Sequence, residues 1–206
     1  MSPEPVPDSV PDDELLVRIA AGDAAAFTTL FRRRHADVYR VALLMTGVRM
    51  AAEDVTQDVF LAVMREAARY ERGRSTVTAW LCGIARNHAR RRLEREGRMV
   101  PLPEDSEADR PGAAAHPDPL GDLANARQLD ALRRAVLSLP LRYREVVVLC
   151  DLQELSYKDA ALSLDCAVGT VRSRLHRARA LLSAKMRVRP LPGEAAAAKS
   201  ITRCLA

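Results

Sequence analysis

The chain has 206 residues, of which 29% are charged and only 4% aromatic, with a net charge of +5; this fits one ordinary domain or two small ones. No apolar run approaches the roughly 18 residues that a membrane span needs. The cysteines Cys82, Cys150, Cys166 and Cys204 are scattered, with no Cys-x-x-Cys pair to suggest zinc or a redox couple.

The opening "MSPEPVPDSVPDDE" is acidic and proline-rich, the opposite of a signal peptide. It predicts a disordered segment over residues 1–13, no membrane insertion and a cytoplasmic address. Residues 14–100 read as a helical domain with breaks near Gly22-Asp23, Gly47 and Arg72-Gly73-Arg74. In "AAEDVTQDVF", Val55, Val59 and Phe60 fall on the inward phase, leaving Asp54, Gln57 and Asp58 as an acidic, polar ridge. The helix from about Ser75 to Arg98 turns Val77, Leu81, Ile84 and Ala85 inward, with His88 on the same apolar phase. Trp80, Asn87 and Arg91 line up beside that face. "PLPEDSEADRPGAAAHPDPLGD" has too many prolines and acids to fold alone, so residues 101–125 read as a connector. Helices resume over 126–186, broken at Leu139-Pro140 and at Asp165-Cys166, and residues 187–206 read as a loose tail that carries Cys204.

Charge follows this division. Residues 1–14 hold five acids and no base, and residues 101–125 hold six acids against Arg110. The blocks 15–100 and 126–186 sum to +7 and +5. Two basic bodies joined by an acidic connector point to a polyanion, most simply nucleic acid.

The second body supplies the sharper signal. In "LSYKDAALSL", Ser156 followed by Asp159 is a capping-box-like helix start. A short helix follows, then the turn Asp165-Cys166-Ala167, then "VGTVRSRLHRAR" with Val168, Val171, Leu175 and Leu182 at helical spacing. Helix, tight turn, helix is the helix-turn-helix unit, whose second helix enters the DNA major groove. The outward face of that helix is Gly169, Ser173, His176, Arg177 and Ala180, flanked by Arg172 and Arg179 on one side and Arg174 on the other. Gly169 and Ala180 keep the face low for close approach. Ser173, His176, Arg172 and Arg177 can reach base edges, while Thr170 and Tyr157 suit phosphates. Upstream, Leu132, Val136, Leu139 and Val146–Leu149 read as the core that holds the reading helix.

"LPLRYREVVVLCDLQELSYKDAALSLDCAVGTVRSRLHRARALL" resembles the −35-reading domain of bacterial extracytoplasmic-function (ECF) RNA polymerase sigma factors. "AAEDVTQDVFLAVMREAARY" and "TAWLCGIARNHARRRLERE" are similar to that family's polymerase-binding and −10-reading segments, and the resemblance covers roughly residues 14–186. It implies an all-α protein of two small helical domains joined by a flexible acidic linker: a region 2 domain over 14–100 and a region 4 domain over 126–186. It also implies core RNA polymerase as partner, with Asp54, Gln57 and Asp58 gripping the clamp helices of the largest subunit and the flap meeting the C-terminal domain. Carboxylates suit an arginine-bearing partner helix. Promoter DNA is the second implied partner, and an anti-sigma factor the third.

On this resemblance the Ser75–Arg98 helix, with the Arg72–Thr76 loop before it, reads and traps the −10 element. Trp80, Asn87 and Arg91 can stack a base, bond its edge and hold its phosphate, which suits single-stranded DNA. Arg90, Arg92 and Arg95 suit backbone contacts that add affinity without specificity. The chain departs from the family pattern at Ala160-Ala161, where Ile-Ala is usual, at Ala167, where a capping Ser or Pro is usual, and at Arg91, where many members carry Asp. No nucleophile or metal-ligand cluster accompanies the paired carboxylates, so no enzyme activity, cofactor or metal is expected. Two rival readings predict different behaviour. A sigma-mimicking protein would sequester an anti-sigma factor and leave DNA alone, whereas a dimeric helix-turn-helix repressor would bind promoters without polymerase.

Overall fold

The computed structural model describes residues 9–97 and 123–187. Helix α1 (Asp12–Ala20) starts after Pro11 with Asp12, Asp13 and Glu14 in its first turn, where the positive end of the helix dipole favours acids. Asp12 also pairs with Arg33 and Arg34 of the next helix. Regular structure thus begins inside the segment 1–13 that composition assigned to disorder; Asp12 and Asp13 are drawn in by these two attractions.

Asp23 starts α2 (Ala24–Thr46) by accepting the amides of Ala25 and Ala26 at 2.9 and 3.0 Å. These amides and Arg18 hold its carboxyl below the ordinary carboxylate range. Gly47 ends α2 at φ +74°, a left-handed position that glycine takes without strain. Helix α3 (Arg49–Glu66) and, after a short 3₁₀ turn and the 70–76 loop, α4 (Val77–Arg95) complete the first unit. Leu15, Leu16, Leu30, Val41, Val55, Val59, Leu81 and Ala85 fill its centre, each 1% exposed or less.

The second unit opens with α5 (Leu123–Leu137), which takes in the last residues of the stretch 101–125. Pro140 starts α6 (Leu141–Val146), where a missing amide donor and a fixed φ are assets. The helix then widens into a π turn over Val147–Leu152, closed by the Gln153 amide on the Val148 carbonyl at 3.0 Å. The apolar run that sequence periodicity treats as plain helix is therefore re-registered, and this widening packs Val146, Val147, Val148 and Leu149 inward together. Helices α7 (Tyr157–Leu164) and α8 (Val168–Arg187) follow.

The two units are packed against each other, an arrangement that nothing in the sequence announces. Small residues permit the approach: a Cβ on Gly83 of α4 would stand 3.5 Å from Ser163 of α7, and Leu137 lies over Gly47. Ser163 donates its hydroxyl to the Ala79 carbonyl at 2.9 Å. Arg144 of α6 reaches the Met45 carbonyl at 2.7 Å and also the carbonyls of Leu137 and Leu139. Burial lowers its pKa to about 10. Among the described residues no helix is long and apolar enough to cross a membrane. The segment 101–122 and the tail 188–206, with Cys204, lie outside the described residues.

Candidate nucleic-acid interface

Ser156 accepts the Asp159 amide at 3.0 Å and donates its hydroxyl to the Asp159 carboxylate at 2.7 Å. That reciprocal cap fixes the start of α7. Asp165 ends the helix at φ 50°, a left-handed position that a short polar residue tolerates, and α8 starts after a three-residue turn. Val171, Leu175 and Ala178, at most 2% exposed, pin α8 against the core.

With those three inward, the opposite face is fixed. Gly169, Arg172, Ser173, His176, Arg177 and Ala180 are exposed, and Thr170 and Arg174 are half-buried beside them. A Cβ on Gly169 would meet nothing within 4 Å. The fold itself therefore has no steric need for glycine there. Arg172 stands 5.8 Å from the centre of the Tyr157 ring, a cation–π distance that gathers both side chains at one end of the face. Ser173 donates to the Thr170 carbonyl at 3.1 Å. Arg179 differs from its neighbours. Its guanidinium forks onto Asp151 at 2.7 and 3.2 Å, which raises its pKa and makes it a strut between α8 and the π turn.

The first unit holds a second cluster. Asp54, Gln57 and Asp58 form one ridge along α3, with Asp54 56% and Asp58 50% exposed. Arg92 of α4 crosses to Asp54 at 2.6 Å and also holds Glu96 at 2.8 Å; both bonds raise its pKa, the one to Glu96 more. Asp58 lies 3.5 Å from His88 Nδ1. Beside the ridge, a groove of about 540 Å³ runs between α2 and α3, lined by Phe27, Phe31, His35, Phe60, Leu61 and Met64 among others. Phe31, Leu61 and Met64 are well exposed within it. Sequence reading missed this groove. Its signal was there in Phe27, Phe31 and His35 at four-residue spacing, but such a stripe reads equally well as core.

On α4, Asn87 and Arg91 are exposed and Trp80 is half-buried. The Trp80 ring meets Tyr70 edge-on at 5.7 Å, and the Tyr70 hydroxyl donates to the Ser75 carbonyl at 2.8 Å, closing the 70–76 loop beneath it. Arg95 leans back on the Arg91 carbonyl, and Arg90 pairs with Glu94. Arg72 of the loop pairs with Glu14 and Asp13 of α1. Arg86 also escaped sequence reading: it binds Glu145 of α6 at 2.6 Å and donates to Asn87 Oδ1 at 2.9 Å. Burial pushes the thiols of Cys82 and Cys150 up to about 12 and about 11, so neither is a ready nucleophile.

Residues 30–99 match the family described as Sigma-70 region 2, and residues 129–182 match Sigma-70, region 4. The ECF RNA polymerase sigma factor SigM of Mycobacterium tuberculosis is 37% identical over 180 residues, 84% of this chain and 83% of that one. The ECF RNA polymerase sigma-E factor of Escherichia coli is 33% identical, over 89% of this chain and 97% of its own. SigE of Mycolicibacterium smegmatis is 39% identical over 78% of this chain, which spans 62% of that relative's length. Among solved structures, CnrH in complex with the cytosolic domain of CnrY aligns with a TM-score of 0.62 at 27% identity, over 87% of this chain and 99% of that one. The sigma factor RpoE in complex with the anti-sigma factor NepR from Bartonella quintana aligns at 0.60 and 26%, over 80% and 98%.

Proposed function

The chain belongs to the ECF RNA polymerase sigma factors, and from that membership we propose how its residues divide the work of promoter-specific initiation. The α8 face reads the −35 duplex: Arg172, Ser173, His176 and Arg177 meet base edges, while Tyr157, Thr170 and Arg174 meet phosphates. Arg179 aims the helix through Asp151. Trp80, Asn87 and Arg91 of α4 engage −10 DNA as it opens, with Arg92 and Arg95 along the backbone. The Asp54–Gln57–Asp58 ridge and the adjoining aromatic groove receive helices of core RNA polymerase: apolar contact gives affinity and the carboxylates fix register.

The observation that carries this division is the α8 face, which is low, basic and without a steric reason for its glycine. The first unit begins at Asp12 and the second at Leu123, a little outside the bounds 14–100 and 126–186, with the acidic stretch of the sequence between them. The chain performs no chemistry of its own and acts in the cytoplasm. An anti-sigma factor is a further partner, a reading supported by the sigma factor RpoE of similar fold, which is solved with a chain named an anti-sigma factor.

Gel shift on the chain's own upstream region, with and without core enzyme, followed by run-off transcription, tests the assignment. A shift and a discrete transcript only with core enzyme support it. A shift without core enzyme supports a free-standing repressor, and no shift in either case supports a mimic.

A further inference from the structure

Arg172 and Arg179 lie on the same edge of the outward face of α8, and the fold holds them by different means. Arg179 is forked onto Asp151, so its Nε and Nη2 are both committed. Arg172 is met instead by an aromatic ring, with its guanidinium carbon 5.8 Å from the centre of Tyr157. A ring attracts a guanidinium through its quadrupole and takes up none of its five N–H donors. Arg172 is therefore restrained while its charge and its hydrogen-bonding edge stay available.

The ring is itself firmly placed. Tyr157 is the first residue of α7, directly after Ser156, whose reciprocal bonds with Asp159 at 2.7 and 3.0 Å fix the helix start. Val171, beside Arg172 in the chain, is fully buried. The two backbones that carry ring and guanidinium are thus both anchored. Tyr157 stays 38% exposed, so two parts of one side chain serve separate ends: the hydroxyl suits a phosphate and the ring engages Arg172.

We propose that Tyr157 is a positioning residue for base reading, its ring holding Arg172 ready for the major groove so that Arg172 discriminates one base pair of the −35 element more sharply than an unrestrained arginine would. The proposal rests on the promoter-reading assignment above. A long side chain loses rotamer freedom when it docks bidentately on guanine, and restraint before binding removes part of that cost. A restrained guanidinium is also kept from swinging to a neighbouring phosphate or to a wrong base. The ring therefore contributes specificity, whereas a phosphate bond from the hydroxyl adds affinity on every sequence.

The test uses the full chain bound to core polymerase, with duplexes of the chain's own upstream region that carry single-base substitutions across the −35 element. Arg172→Ala locates the position at which base preference is lost. There, Tyr157→Leu, which keeps apolar bulk and removes the π face, should lower discrimination about two- to fivefold, the range of an exposed cation–π contact. Tyr157→Phe should keep the discrimination and weaken binding equally on all duplexes. In an Arg172→Ala background, Tyr157→Leu should leave the remaining base preferences as they are, which a general loosening of α7 would not do. Uniform weakening by Tyr157→Leu, or the same loss of preference with Arg172 absent, overturns the proposal. Tyr157→Phe keeps the test decisive if the leucine variant folds poorly, since lost discrimination there assigns the effect to the hydroxyl and overturns the role of the ring. Should Arg172→Ala and Arg177→Ala both leave every base preference intact, the −35 assignment fails and the proposal with it. Loss of preference in Arg172→Ala without loss in Tyr157→Leu overturns the positioning alone.

Discussion

The two helices proposed to meet DNA, α4 and α8, carry similar numbers of arginines and treat them in opposite ways. On α4, Arg86, Arg90 and Arg92 are each held by an acid of the chain itself, namely Glu145, Glu94, and Asp54 with Glu96. On α8, Arg172 and Arg177 stand exposed, whereas Arg179 is paired with a carboxylate, Asp151. The face proposed to read −35 is thus already formed in the free chain, on a helix pinned by Val171, Leu175 and Ala178. On the faces proposed for −10 DNA and polymerase, Arg90, Arg92 and Asp54 are instead engaged in internal salt links that a partner would have to exchange. Exposed links of this kind are individually weak, so a partner that brings its own arginines or phosphates can exchange them. The difference fits the order of events proposed within the polymerase complex: duplex is met first, and single strands exist only after polymerase has begun to open the DNA.

Reversing the ridge should break the comparison hardest. Asp54→Arg with Asp58→Arg places like charges against an arginine-bearing partner and also repels Arg92. Affinity for core polymerase should fall about a hundredfold or more, with helicity by circular dichroism unchanged. Wild-type affinity in that double variant would move the polymerase contact to another surface.

Within α8 the comparison sharpens between neighbours. Arg177→Ala should cost about 1–3 kcal/mol of promoter binding and relax preference at one base position. Arg179→Ala should instead lower thermal stability by less than about 1 kcal/mol, because the pair with Asp151 is partly exposed. It should weaken binding equally on specific and scrambled −35 sequences. Binding titrations on both DNAs give the answer, and equal losses for Arg177→Ala would reassign it to phosphates.

The helix-turn-helix unit was legible from sequence because its determinants are local. Ser156 and Asp159 are three residues apart, the turn is marked by Asp165, and Val171, Leu175 and Ala178 set the phase that turns Arg177 outward. Gly22, Gly47 and Gly73 likewise announced their breaks, each at positive φ. What escaped was non-local. Arg92 looks like any surface arginine until Asp54, 38 residues away, comes beneath it. Arg86 and Glu145 are 59 apart. Arg144, which nothing in the sequence singles out, donates to carbonyls of both units, because its burial depends on their docking. The aromatic groove escaped for a related reason: periodicity shows that Phe27 and Phe31 share a face, but not that Leu61 and Met64 leave it open.

Trp80 tests the masked side more gently. Its edge contact with Tyr70 supports the 70–76 loop, so Trp80→Ala should lower both stability and open-complex yield a few-fold on linear promoter. The two roles separate on a pre-melted template with permanganate footprinting of the −10 thymines. Recovery of transcription there ties the loss to opening. No recovery, together with a lowered melting temperature, would make Trp80 a packing residue.

The smallest effect is expected at Gly169, and its sign is informative. The residue lies in the first turn of α8 with open space where a Cβ would stand. Alanine there is compatible with the helical backbone and reduces the entropy lost on folding, so Gly169→Ala should leave the melting temperature unchanged or raise stability by up to about 1 kcal/mol. If the bare backbone serves the fold, nothing else changes. If it serves close approach to DNA, the added methyl lifts the helix from the groove edge, and −35 affinity falls by a factor of a few while polymerase affinity and stability hold. A variant that is at least as stable and yet binds promoter more weakly would separate the needs of the interface from those of the fold at a single carbon atom. Unchanged promoter affinity would mean that α8 enters the groove through Arg172, Ser173, His176 and Arg177 alone, with its first turn standing clear.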